Sequence, residues 1–132
     1  MDQATLVEPQ IRAGAALVTA LDRDAINPSA AFWFYYSDTQ QWRLLLCGPK
    51  LDAVKKTPEA AYATVAKTLA SLGDAAQPVS IADIKIIPSD DPLMQVLRGL
   101  LRTPPNAIIG ASFKNNFING VLIEDLYAYR VS

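Results

Sequence analysis

The alternation of apolar and polar positions predicts a β-hairpin at residues 29–49, around which the rest of the chain is organised. Residues 30–36 include five consecutive aromatic side chains, and residues 42–47 contain four large apolar ones. Aromatic residues favour buried strands, and the polar stretch 37–41 has a length typical of a hairpin loop. Since each aromatic side chain buries roughly 150–250 Å², this hairpin is expected to supply more of the core than any other segment.

Apolar residues that recur at helical spacing predict three helices, each with a proline in its first turn. The first helix is predicted to begin near Pro9, the second at Pro58 and the third at Pro92. Proline suits the first helical position because its missing N–H would have no partner there. Thr57 is expected to cap the second helix, and the acidic run before Pro92 is expected to cap the third.

Three further strands are predicted in the second half of the chain. The first covers residues 80–87, the second covers residues 107–113, and the third covers Val121–Val131. Turn residues separate the last two at Lys114-Asn115-Asn116 and at Asn119-Gly120. Asn-Gly is favoured in tight hairpin turns because both central residues need a positive φ.

The predicted order is α-β-β-α-β-α-β-β, which defines an α+β domain over residues 1–132. We expect a single mixed sheet of about five strands, built as two hairpins joined through crossover helices and packed with three helices. Five strands make a sheet roughly 24 Å wide, so three helices about 10 Å across do not fit on one face. One helix must move to the second face or beyond an edge.

Composition narrows the classes of function. The net charge is −1 and the sequence pI is about 5.3, which disfavours nucleic acid and anionic membranes as partners. The chain has no histidine, so a Ser-His-Asp or Cys-His site within one chain is excluded. No signal peptide or membrane span is expected. The single cysteine, Cys47, excludes an internal disulfide and suits a reducing cytosol.

The polar end of the last strand supplies the main candidate for a chemical site. Strand alternation places Glu124 and Arg130 on one face of the sheet. It places Asp125, Tyr127 and Tyr129 on the other face. A functional interpretation makes Glu124 or Asp125 a metal ligand or base, with Arg130 or Lys114 holding an anion. A structural interpretation puts one acid at a sheet edge and pairs the other with an arginine. An acid pair without a third ligand favours the structural interpretation, so no metal or cofactor is predicted.

Five other features have a functional and a structural interpretation, and the structural one is favoured for each. Three of the functional interpretations involve charged residues: a cation site at Asp90-Asp91, a nucleic-acid contact at Arg98 and Arg102, and a phosphate site at Lys50, Lys55, Lys56 and Lys67. The other two are a nucleophile at Cys47 and a base-stacking platform at residues 32–36. Helix capping explains the acids, and no glycine-rich loop accompanies the lysines. The arginines can simply solvate their helix, while burial in the core explains the cysteine and the aromatic run.

Three short motifs carry a resemblance to known sequences. They are Trp42-Arg43-Leu44, Asp91-Pro92-Leu93 with Leu97-Arg98, and the ending from Asn119-Gly120-Val121 through Ile123-Glu124-Asp125-Leu126-Tyr127-Ala128-Tyr129-Arg130. Over most of its length the chain resembles a group of small uncharacterised bacterial proteins. The resemblance implies an intracellular bacterial origin. It implies no activity and transfers no catalytic residue, because the group has no assigned function.

These observations favour a non-enzymatic cytosolic binding or regulatory module that self-associates. Both faces of the first strand are apolar, which fits either a homodimer or coverage by the chain's own helices. A further protein partner stays open. The alternative is a small metal-dependent hydrolase or nuclease that uses Glu124 and Asp125 with Lys114 or Arg130, and it requires these groups to converge in an open cleft. Nucleic-acid binding through the arginines of the third helix and Lys114 would require one exposed basic patch.

Overall fold

A computed structural model describes residues 5–132 of the chain. The helices and strands are α1 (Glu8–Arg23), β1 (Ala30–Tyr36), β2 (Gln41–Cys47), α2 (Pro58–Leu72), β3 (Ile84–Ile86), α3 (Pro92–Leu100), β4 (Ala111–Ile118) and β5 (Val121–Val131). Short 3₁₀ helices cover Pro49–Lys55, Gly73–Ala76 and Ile81–Asp83. The predicted α+β class and the order of its elements are confirmed.

The five strands form one mixed sheet in the order β3-β2-β1-β5-β4. β1 lies at the centre and pairs antiparallel with both β2 and β5, while β4 extends the sheet beyond β5 as an antiparallel edge strand. β2 and β3 are parallel, as expected for strands joined by a crossover helix. The connection through α3 instead carries the chain from one edge to the other, so that β4 runs antiparallel to β3.

Helices cover both faces of the central strands. Ala31 and Trp33 point towards α1 and α2, and we call this side of the sheet the α1 face. Phe32 and Phe34 pack with Met94 and its neighbours in α3, and we call this side the α3 face. Alternation of side chains along β1 therefore buries aromatic residues on both sides of the sheet. The position of α3 on the second face agrees with one of the two arrangements expected from the width of the sheet, in which one helix moves to the second face or beyond an edge.

A β-bulge interrupts the pairing of β1 with β5. Ala31 pairs with Arg130, whereas Phe32 pairs with Ala128, so Tyr129 is an additional residue in β5. Tyr129 packs into the α1-face core, and Arg130 reaches Asp22 in α1. The prediction that strict alternation would put Tyr129 and Arg130 on opposite faces is therefore wrong.

The guanidinium of Arg130 is completely buried and makes four hydrogen bonds. Its Nη1 and Nη2 donate to Asp22 Oδ1 and Oδ2 at 2.9 and 2.7 Å. Nη1 also donates to the carbonyl of Pro28 at 3.0 Å, and Nε donates to the carbonyl of Ala107 at 2.8 Å. Arg130 thus joins the end of α1, the entry to β1 and the segment before β4.

The strand predicted over residues 80–87 is shorter than expected. Only Ile84–Ile86 pairs with β2, because a 3₁₀ turn occupies Ile81–Asp83. In this turn the backbone N–H of Ser80 donates to Asp83 Oδ2 at 2.9 Å. A side chain that bonds the backbone locally competes with strand pairing.

The boundaries of β4 were also predicted wrongly. The strand covers Ala111–Ile118 rather than residues 107–113, and Lys114-Asn115-Asn116 lies inside it rather than in a turn. Asn115 keeps one turn-like property, a φ of 54°. The second predicted turn is confirmed, since Asn119 and Gly120 have φ values of 50° and 79°.

The two predicted helix caps differ in outcome. Asp91 caps α3, because its Oδ1 accepts a hydrogen bond from the N–H of Leu93 at 2.9 Å. Thr57 precedes α2 but makes no side-chain cap. Its hydroxyl instead donates to the carbonyl of Ala53 at 3.4 Å.

We expect Gly14→Ala to destabilise the fold by about 1–3 kcal/mol through overpacking. A Cβ at this position would clash with the Tyr129 hydroxyl and ring. Gly99→Ala in α3 is the matched control, because its Cβ would meet nothing within 4 Å. That control should gain roughly 0.5–1 kcal/mol from helix propensity. Urea unfolding measures both values, and equal effects would contradict the close packing of α1 on Tyr129.

We expect Asp22→Asn to lower the free energy of unfolding by about 3–5 kcal/mol, because it leaves a buried guanidinium without its counter-charge. Asp90→Asn removes the exposed ion pair in which Lys55 Nζ lies 2.7 Å from Asp90 Oδ2. This control should cost at most about 1 kcal/mol. Thermal and urea unfolding of both variants checks the difference. Similar losses in the two variants would show that Arg130 does not depend on Asp22.

Candidate functional site

A cavity of about 180 Å³ opens on the α1 face, beside the beginning of α1. Lys114 and Ser112 line it from β4, Asp125 and Tyr127 line it from β5, and Trp42 lines it from β2. The cavity contains two of the four residues that the sequence singled out as a chemical site.

The register of the β4–β5 hairpin places these side chains together. Lys114 pairs with Asp125, and Ser112 pairs with Tyr127. Residues two apart on a strand share a face, so both pairs point to the same side of the sheet. The tight Asn119-Gly120 turn sets this register, because a two-residue turn fixes which residues face each other.

A hydrogen-bonded aromatic cluster supports the wall of the cavity. The rings of Tyr127 and Tyr129 meet edge to face at 5.5 Å. The Tyr129 hydroxyl accepts a hydrogen bond from Trp33 Nε1 at 2.9 Å and donates to the carbonyl of Ile11 at 2.6 Å. Burial raises the pKa of Tyr129 above its ordinary value. On the far side, Trp42 packs against Tyr35 at 5.4 Å.

The structure separates the four predicted site residues. Lys114 and Asp125 share the cavity, whereas Glu124 and Arg130 are not among the residues that line it. Arg130 forms an ion pair with Asp22, an acid that was not among the candidate site residues. The Oε2 atom of Glu124 is buried and has no hydrogen-bond partner among the described residues.

The structural interpretation expected one of the acids Glu124 and Asp125 to pair with an arginine inside the sheet. Arg130 instead pairs with Asp22 of α1. The two residues are 108 positions apart in the sequence. No local pattern connects residues at that distance, so only the tertiary structure could identify the pair.

Several of the other candidate residues have structural contacts. Lys55 pairs with Asp90, and burial raises the pKa of the Cys47 thiol, which makes it a weak nucleophile. Arg98 donates to the carbonyls of Ser89 and Ser132, each at 3.3 Å, so it does more than solvate α3. The aromatic side chains at positions 32–35 are buried in the core.

Residues 5–132 contain neither a cluster of metal-ligating side chains nor a helix that could span a membrane. No group of three or more potential metal-ligating side chains comes together in this part of the chain. None of its helices combines the length and the apolar character needed to cross a lipid bilayer.

Side chains of opposite charge line the cavity. Lys114 and Asp125 are cross-strand neighbours in its wall. Leu6 and Ile11 add apolar surface next to them. The cavity therefore combines charged and apolar walls.

Comparison with known protein families, with curated proteins and with solved structures produced no match. The class of protein is therefore defined by the fold and the cavity. It is a small α+β domain with helices on both faces of a five-stranded mixed sheet.

We expect stability to fall above about pH 10, the ordinary pKa of a tyrosine. Above this pH the unfolded chain loses the Tyr129 proton, while the folded chain keeps it. Because the folded state then binds more protons than the unfolded state, the free energy of unfolding falls as the pH rises. The slope attributable to this group approaches about 1.4 kcal/mol per pH unit. Urea unfolding between about pH 9 and pH 11 measures this slope.

Tyr129→Phe should be less stable at neutral pH but should show a flatter alkaline limb. The control Tyr36→Phe removes a half-buried hydroxyl that accepts from Lys85 Nζ at 3.3 Å. It should keep the slope of the parent protein. Equal slopes in all three proteins would contradict the role given to Tyr129.

Proposed function

We propose that this chain acts by binding rather than by catalysis, and that it associates with a second copy of itself through the β4–β5 hairpin. The observation that carries the proposal is an exposed apolar pair at the tip of the hairpin. Phe117 is 72% exposed and Leu122 is 53% exposed, although both are large apolar residues. Contiguous exposed apolar surface marks interaction sites on folded proteins.

The two side chains lie on the same side of the sheet. Phe117 pairs directly with Leu122 across the strands. Their neighbours Ile118 and Val121 pack towards the α3 face. Because side chains alternate along a strand, Phe117 and Leu122 point to the α1 face. Their exposure means that no described helix covers them there.

A cross-strand pair of this kind is self-complementary. A two-fold axis parallel to the strands would place Phe117 of one copy against Leu122 of the other, and the reverse contact would follow by symmetry. Two side chains are much smaller than the roughly 800 Å² per partner of a stable interface. The proposed dimer is therefore weak and depends on concentration.

The sequence of β4 fits a dimer that forms through the face of the sheet better than one that forms through the backbone edge of β4. The strand carries Lys114 near its middle, and Asn115 bends it with a φ of 54°. Lysine and local distortions are features that protect sheet edges from pairing with another strand. The proposal therefore assigns the contact to Phe117 and Leu122 rather than to the open backbone of β4.

The proposal includes the cytosol as the compartment in which the protein works. The only cysteine, Cys47, is free and buried, which suits a reducing environment. The alternative of a metal-dependent hydrolase at Glu124 and Asp125 stays a prediction from the sequence.

Sedimentation across a dilution series from about 1 μM to about 1 mM tests the self-association, since this range covers weak complexes. We expect a reversible monomer–dimer equilibrium for the parent protein. Phe117→Asp and Leu122→Asp should each give monomer throughout, because a charge would be buried at the contact.

Ile81→Asp is the matched control. Ile81 is also exposed, at 38%, but it lies next to β3 at the opposite edge of the sheet. This variant should dimerise like the parent protein. Monomeric parent protein at every concentration, or equal dissociation of the control, would contradict the proposal.

A further inference from the structure

We propose that a second cavity, where the end of α1 meets α2, binds a neutral polyhydroxylated molecule of the class of pyranose monosaccharides. The cavity has a volume of about 450 Å³ and is lined by Asp24, Ile26, Thr64, Lys67 and Thr68. It shares no residue with the surface proposed for self-association, and the inference does not depend on that proposal. Three properties support it: an oriented carboxylate, the balance of donors and acceptors, and the size of the cavity.

The first property is a carboxylate that the protein holds in place. Asp24 Oδ2 accepts a hydrogen bond from the Thr68 hydroxyl at 2.7 Å, and Thr68 itself is only 3% exposed. Arg23 Nε lies 3.5 Å from Asp24 Oδ1. A carboxylate has about four acceptor positions, so these two contacts leave about half of them for a ligand. The Asp24 side chain is 40% exposed, which lets a ligand reach it.

The surroundings of Asp24 also keep its carboxyl group ionised. The hydrogen bond from Thr68 lowers the pKa of this carboxyl below its ordinary value, and the positive charges of Arg23 and Lys67 act in the same direction. An ionised carboxylate only accepts hydrogen bonds, and the bonds that it accepts are stronger than those between neutral groups. The ligand must therefore supply donors such as hydroxyl groups.

The second property is the balance of donors and acceptors around the carboxylate. The Thr64 hydroxyl donates its only proton to the carbonyl of Ala60 at 3.0 Å, so it can only accept from a ligand. Lys67 is exposed in α2, and its ammonium group can only donate. A molecule with several hydroxyl groups satisfies both kinds of partner, because each hydroxyl donates and accepts.

The charges that border the cavity favour a neutral ligand. A phosphate would be attracted by Lys67 but would lie against the Asp24 carboxylate with like charge. An amine would be attracted by Asp24 but would lie against the Lys67 ammonium. Such opposition selects against charged ligands of either sign.

The third property is the size of the cavity. Its volume of about 450 Å³ lies within the roughly 300–1,000 Å³ typical of small-molecule sites. The half-buried side chain of Ile26 gives the C–H groups of a sugar ring an apolar contact. A hexose has about twelve non-hydrogen atoms, and at ordinary ligand efficiency this number corresponds to a dissociation constant on the order of 1 mM to 10 mM.

Nuclear magnetic resonance titration of the ¹⁵N-labelled protein with D-glucose, D-galactose and D-mannose tests the proposal. We expect at least one of these hexoses to cause saturable shifts in the amide signals of the residues that line the cavity. The analogue 2-(hydroxymethyl)tetrahydropyran lacks the other ring hydroxyls and should bind at least about tenfold more weakly. Inorganic phosphate should cause no saturable shifts at these amides.

Three variants should weaken the binding of the hexose that gives the tightest complex. Asp24→Asn and Lys67→Met should each do so by about tenfold or more, because each removes a charged partner, and Thr64→Val should do so by about threefold. Lys50→Met is the matched control for Lys67→Met. Lys50 is also an exposed lysine but is not among the residues that line the cavity, so this variant should bind like the parent protein. Thermal unfolding checks that all four variants are folded.

Several outcomes would overturn the proposal. The first is the absence of saturable shifts with all three hexoses up to about 100 mM, well above the expected dissociation constant. The others are equal binding of the hexose and 2-(hydroxymethyl)tetrahydropyran, tighter binding of phosphate than of any hexose, and an affinity in Lys67→Met that matches the affinity in Lys50→Met. The last comparison does not depend on Asp24, whose substitution also removes a contact between α1 and α2.

Discussion

The rest of the structure depends on the hydrogen bonds and the ion pair that the buried guanidinium of Arg130 makes. A charge removed from water is costly unless nearby groups of the protein bond its donors. Asp22 neutralises the charge. The carbonyls of Pro28 and Ala107 accept the further hydrogen bonds that the guanidinium donates. These partners come from three separate segments, so the arginine can be satisfied only when α1, the entry to β1 and the approach to β4 are all in place. The bulge at Tyr129 makes this geometry available.

This arrangement divides the molecule into a fixed frame and an extended hairpin. The last four residues of β5 are buried, whereas no residue of β4 is fully buried. The beginning of β5 and all of β4 therefore have fewer packing contacts than β1 and β2. Regions with few buried contacts open more easily, and binding surfaces are often drawn from them. The charged cavity and the exposed Phe117–Leu122 pair both lie on the α1 face of this hairpin.

The sequence predicted the elements whose signals are local. The aromatic run of β1, the proline-initiated helices and the Asn119-Gly120 turn were found because their physical causes lie within a few residues. The boundaries of β4 were missed because Lys114-Asn115-Asn116 has the composition of a turn, yet pairing with β5 holds it in a strand. Tertiary contacts override local preference in such segments.

The candidate site was only partly predictable for the same reason. The residue types at positions 114 and 125 were recognised as chemically capable, and the hairpin register brings them together. The bulge that turns Arg130 towards α1 has no sequence signature, and its partner Asp22 is remote in the chain. Leu6, Ile11 and Trp42 were not singled out as site residues, because apolar spacing does not show which side chains will border a cavity.

Amide hydrogen exchange, measured residue by residue at low and high protein concentration, tests the division into frame and hairpin most directly. The account predicts that the amides of β1 and of the buried end of β5 exchange only through global unfolding. Amides of β4 should exchange faster in dilute protein and become protected as concentration rises. Equal protection of β1 and β4 in dilute protein, with no effect of concentration, would contradict it.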